Sequence, residues 1–244
     1  LPTFMPDESE KIVWCNRNHI YNFYQKINED PDLDIFSLIK EENPDGPLKG
    51  YIREDFDQVY MFFDYDGHVG LSRVSDEPLG DDIIQSMLDR FDNETEEGKL
   101  FISYPMAEAL EHTPLDIAEF RDLTAKCKGV NCPNKETCPD RESCKKEPHY
   151  KKIVNLNKPL KKSIADYTDA DWKRIAMFHI YKMEYLINGN MHFPSVNHSQ
   201  QNIFKRQLEE YISRPCPVVS VLSGFPAFVL DYYGTSVREK IEAV

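Results

Sequence analysis

Two groups of side chains in this 244-residue sequence have types and spacings that could do chemistry. The first is Asp64-Tyr65-Asp66, where the apolar run QVYMFFD, residues 58–64, ends on acids. Side chains at i and i+2 of an extended segment point the same way, so the two carboxylates stand close and repel. A hard divalent cation relieves that repulsion. Mg²⁺ takes one or two carboxylates, keeps waters and leaves positions for phosphate oxygens. Glu108 follows the next expected strand, within the first turn of its helix, and would reach the same crevice beyond the strand ends. His68 and His112 lie nearby in sequence and read as supporting or surface histidines, because Mg²⁺ prefers oxygen. The plain alternative is a solvated acidic turn.

The second group is Cys127, Cys132, Cys138 and Cys144, four of the six cysteines, crowded into eighteen residues. In a reducing compartment such clustering favours metal over disulfides, and four thiolates close a tetrahedral structural Zn²⁺ site. The surrounding insert has turn residues (Asn131, Pro133, Asn134, Pro139) and no apolar stripe of its own, so a metal would supply its cross-link. An iron–sulfur cluster or a double disulfide are the other readings, and His149 could replace one Cys. Cys15 and Cys216 read as core residues of strands.

Charge points to an anionic partner. The chain carries a formal −13, but residues 1–126 hold 11 basic and 29 acidic side chains, whereas residues 127–244 hold 18 and 13. Lys145, Lys146, Lys151, Lys152, Lys158, Lys161 and Lys162 face a single acid, Glu147, over the same stretch, which suits nucleic acid; a solvated loop is the bland reading. Tyr150 and Tyr167 could stack on bases, though packing is their ordinary role.

These residues need a scaffold. Apolar periodicity gives helices over 19–27 and 34–40, a strand over 11–16, and a strand over 58–64 that looks buried on both faces. A helix through Ile83, Ile84, Met87, Leu88 and Phe91 follows, then a strand LFISY at 100–104 and a helix opened by Pro105 through Met106, Ala109 and Leu110. Strand–helix alternation implies α/β architecture with a mostly parallel sheet. Residues 168–187 form a long amphipathic helix capped by Thr168, with Trp172, Ile175, Ala176, His179, Met183 and Leu186 on one stripe. A helix over 200–212, a strand over 217–222 and a helix over 227–233 close the chain. The implied organisation is an α/β core (1–120), a Cys/Lys-rich insert (121–162) and a largely helical C-terminal region with one strand (163–244).

The strand ending in Asp64-Tyr65-Asp66, followed by a helix and then by Ser103, Pro105 and Glu108 in a Ser-x-Pro-x-x-Glu segment, resembles the Toprim-type nucleases of phage defence. The likeness is to RloB-like and AbiL-type proteins, and His112 falls where those often carry a His. It covers residues 11–112 well and the rest vaguely, although 218–234 also looks similar. The resemblance implies a Toprim-like parallel sheet, one or two Mg²⁺ or Mn²⁺ ions at Asp64, Asp66 and Glu108, phosphodiester cleavage in antiviral defence, and an ATPase partner. The family pattern also has a glutamate after an earlier strand; Glu8 and Glu10 are poor substitutes, so that segment is expected upstream, or this member is inactive.

No apolar run approaches the ~20 residues of a membrane span, and no signal peptide is evident, so a cytoplasmic protein without membrane contact is expected. Besides a metal-dependent nuclease, two functions fit the residues. One is a non-catalytic zinc-containing interaction subunit. The other is phosphoryl transfer on a small phosphate ester, disfavoured by the lack of a phosphate-cradling Gly-rich loop.

Overall fold

The computed structural model describes residues 4, 12–13, 19–30, 35–42, 44–65, 80–126 and 149–242. Helices α1 (Ile20–Glu29) and α2 (Ile35–Glu42) precede strand β1 (Tyr60–Asp64). Helix α3 (Gly80–Arg90), strands β2 (Asp92–Asn93) and β3 (Gly98–Ser103), a 3₁₀ turn (Ala107–Leu110), helix α4 (Ile117–Asp122) and strand β4 (Thr124–Lys126) follow. The remainder comprises α5 (Tyr150–Asn157), α6 (Asp169–Asn188), α7 (Gln200–Gln207), β5 (Val218–Ser220), α8 (Gly224–Tyr233) and α9 (Val237–Glu242).

The architecture is α/β, but its sheets are small and mixed rather than mostly parallel. β1 pairs parallel with β3, β2 pairs antiparallel with β3 through a tight return, and β4 pairs antiparallel with β5. The alternation seen in sequence overstated the parallel content, because the run after Ser103 becomes a 3₁₀ turn and β5 joins β4 instead of β3. Of the strand expected over 11–16, only Ile12 and Val13 are described, and neither is in a strand. Cys216 is half-buried in a bend before β5 rather than in a strand, and Cys15 lies outside the described residues.

Register fixes which side chains share a face. Tyr60, Phe62 and Asp64 stand opposite Lys99, Phe101 and Ser103, and this face meets α8: Phe228 packs edge-on to Tyr60 and Phe62, and Lys99 pairs with Asp231 at 2.8 Å. The opposite face, with Met61, Phe63, Tyr65, Leu100 and Ile102, packs on α1, α3 and α7, as in the 5.4 Å Phe23–Phe63 contact. β1 was expected to be buried on both faces, yet Phe62 is 46% exposed. The reason is the path of α8, which lies closest to β3. A Cβ at Gly224 would come within 3.1 Å of the Ile102 carbonyl oxygen and of Phe101 Cβ, tighter than ordinary van der Waals contact, so glycine eases this close approach of α8 to β3.

Local chemistry explains the helix ends. Thr168 and Asp171 form a reciprocal capping box at the start of α6, and Gly189, at φ 76°, takes the left-handed position that ends it. Ser223 caps α8 through the Phe225 N–H, so this helix starts three residues earlier than apolar periodicity suggests. The helix expected over 200–212 is α only to Gln207 and continues as a π-type turn over Leu208–Ile212.

Candidate metal and phosphate site

Asp64 closes β1 beside Ser103, and the chain then turns through Pro105 so that the Ala107 N–H donates to Asp64 Oδ1 at 2.7 Å. Ser103 Oγ accepts the Gly224 N–H at 3.2 Å, while Tyr104 exchanges backbone bonds with Leu222. The Ser-x-Pro-x-x-Glu segment therefore joins β3, the start of α8 and the Asp64 carboxylate. Tyr65 is fully buried and donates its backbone N–H to the Ser103 carbonyl, which holds Asp64 at the sheet rim. Asp66 and His68 lie outside the described residues, as do Glu8 and Glu10.

Glu108 sits in the 3₁₀ turn, one residue beyond the amide bound by Asp64, so the structure brings these two acids to one corner. Helix α5 approaches it. Lys151 Nζ lies 3.0 Å from Glu108 Oε1, and Lys158 forms an ion pair with Glu111. Tyr150 OH is 3.0 Å from His112 Nδ1. The Lys151 ammonium is held above the usual lysine range, first by its hydrogen bond to Glu108, then by the charges of Glu108, Asp64 and Glu111. Burial and the Glu108 charge push the Tyr150 phenol up, and burial followed by the Lys182 charge lowers His112. His112 is thus a half-buried partner of Tyr150.

The basic run divides. Lys151, Lys158 and Lys162 are paired with Glu108, Glu111 and Asp171, whereas Lys152 and Lys161 are exposed. Lys145, Lys146, Cys127, Cys132, Cys138 and Cys144 lie outside the described residues. Tyr150 and Tyr167 are both buried, which assigns them to packing. Among the described residues, no group of three or more His, Cys, Asp or Glu side chains is arranged to hold a metal ion. The donors at the corner, Asp64 and Glu108, are carboxylate oxygens of the kind a hard cation takes.

A second polar network was not anticipated. His179, fully buried on α6, accepts the Ser223 N–H at Nδ1 (3.0 Å), which leaves Nε2 to donate to Thr113 Oγ1 at 2.9 Å. Burial lowers its pKa to about 3. Lys182, one turn on, is 1% exposed, donates to the Leu123 carbonyl at 2.7 Å and lies 4.5 Å from the Phe120 ring centre. The signal for it was present, since 175, 179, 182 and 186 follow helical spacing; its charge hid it.

Comparison with protein-family models, with curated proteins and with solved structures returns no match. Among the described residues no helix is long and apolar enough to cross a membrane.

Proposed function

We propose that the chain is a divalent-metal-dependent nuclease in which Asp64, Asp66 and Glu108 serve the metal and the lysines around α5 attract the phosphodiester backbone. The observation that carries this reading is the convergence of Asp64 and Glu108 at the end of two parallel strands, with Lys151 beside them. Bound Mg²⁺ or Mn²⁺ would supply charge neutralisation at the scissile phosphate and acidify a water. The Ala107 N–H holds one Asp64 carboxylate oxygen and so fixes the orientation of that carboxylate at the sheet rim. Lys152 and Lys161 are exposed, which supports this reading because their ammoniums are accessible to an anionic backbone. The resemblance adds an antiviral setting and an ATPase partner, the clustering of Cys127, Cys132, Cys138 and Cys144 adds a structural Zn²⁺, and the sequence reading adds a cytoplasmic location.

A second reading is a non-catalytic interaction subunit. It draws on the ion pairs Lys151–Glu108 and Lys158–Glu111, which already neutralise two acids and clamp α5 to the 3₁₀ turn. Cleavage of labelled RNA and DNA separates the two. The nuclease reading expects Mg²⁺-dependent cutting that falls at least about 100-fold in Asp64→Asn, the scale of losing transition-state charge stabilisation. Cleavage unaffected by Asp64→Asn and Glu108→Gln rejects it, and turnover of small phosphate esters alone moves the substrate to that class.

A further inference from the structure

Lys151 in the first turn of α5 and Lys158 at its C-cap are seven residues apart, about two helical turns, and so lie along one side of the helix. Glu108 and Glu111 are three apart on the facing turn, and the two ammoniums meet the two carboxylates in register. The helix does not depend on these pairs for its place. Tyr150 and Val154 are buried with Ala109 and Phe120, and the Tyr150–His112 bond adds a third polar tie. Packing therefore delivers the Lys151 ammonium to the acidic corner. The pair is lopsided: the Lys151 side chain is 67% exposed while that of Glu108 is 15% exposed. An ammonium on a flexible, solvated stem can leave at little cost, whereas the carboxylate stays where it is.

We propose that Lys151 is a tethered counter-ion that competes with a divalent cation for the Asp64 and Glu108 carboxylates, so that α5 sets the cation affinity of the site. This inference rests on the metal-site reading above. A cation arriving at Glu108 meets a positive charge 3.0 Å from one of its oxygens, and Lys151 must swing out before both oxygens can ligate. The cation then repels the displaced ammonium, which becomes free for another anion. Lys152, the next residue, is exposed and has no ion pair with a described residue. It therefore controls for the general effect of removing one positive charge.

The test is Mn²⁺ binding to the full chain at low ionic strength, read by electron paramagnetic resonance of free Mn²⁺. Lys151→Met is expected to tighten binding about three- to tenfold, from removal of one like charge near the site. Lys151→Arg stays near wild type, Lys152→Met shifts binding less than about twofold, and half-molar salt shrinks the Lys151→Met effect. In a Glu108→Gln background the gain from Lys151→Met disappears. Equal shifts at 151 and 152, or a gain that persists with Glu108→Gln, overturn the inference. If Asp64→Asn with Glu108→Gln weakens Mn²⁺ binding but Lys151→Met does not tighten it, the inference falls and the metal site stands. If that double variant binds Mn²⁺ as wild type does, both fall.

Discussion

Replacing Lys182 with Met is expected to stabilise the fold, although it removes a hydrogen bond and a cation–π contact. Lys182 is 1% exposed, and burial drives its pKa well below the lysine range, against the pull of Asp122. Its acceptor is not orphaned by the change, because the Leu123 carbonyl also takes the Val221 N–H at 3.1 Å. Met has a similar length and a sulfur suited to the Phe120 ring. Exchanging buried ionic groups for apolar ones of like volume commonly gains 1–4 kcal/mol, and loss of the ring contact takes back ~0.5–2 kcal/mol, so a net gain of about 1–2 kcal/mol is expected. For a chain of this size that raises the melting temperature by roughly 2–8 °C. The pH dependence carries the sign. Between the lowered folded pKa and the unfolded value near ~10.4, the unfolded chain binds a proton that the folded chain lacks, so wild-type stability rises with pH. The Lys182→Met advantage is therefore largest below the lowered folded pKa, where the ammonium is still charged, and narrows as pH rises towards ~10. Thermal melts at several pH values decide it. A lower melting temperature in the variant, or a difference that ignores pH, refutes the argument.

Three further outcomes are expected. Gly224→Ala should cost about 1–3 kcal/mol in denaturant unfolding, since its methyl would press on the Ile102 carbonyl at 3.1 Å and neither backbone can retreat cheaply. His179 should remain neutral to about pH 4 by NMR titration, because its pKa is lowered to about 3. The unfolded ring protonates near ~6.5, so its contribution is complete above that pH and is lost as pH falls towards 3, an acid slope of up to ~1.4 kcal/mol per pH unit that His179→Gln should remove. Purified protein should carry one zinc per chain by elemental analysis, lost in Cys132→Ser with Cys138→Ser; metal-free protein, or loading indifferent to those cysteines, contradicts the proposed thiolate site.

Legibility in the sequence followed how local each signal was. Helices α1, α3 and α6 were readable because apolar spacing and caps such as Thr168–Asp171 act within a few residues. The pairing of β5 with β4 was not, because strand partnership is decided by packing across nearly a hundred residues. The same limit governed the site. Asp64 and Glu108 were identified by residue type at strand ends, yet the basic run was read as facing outward. The structure instead turns Lys151 and Lys158 onto Glu108 and Glu111, because Tyr150 and Val154 bury the other edge of α5. Phe62, expected inside, is half-exposed because Gly224 draws α8 onto β3.

The most direct test of the account is the anomalous scattering of Mn²⁺ in crystals of the full chain. The account predicts a peak within about 2.2 Å of carboxylate oxygens of Asp64 and Glu108, with the Lys151 ammonium displaced from Glu108. A protein saturated with Mn²⁺ that shows no peak there, while Lys151 keeps its contact with Glu108, contradicts it.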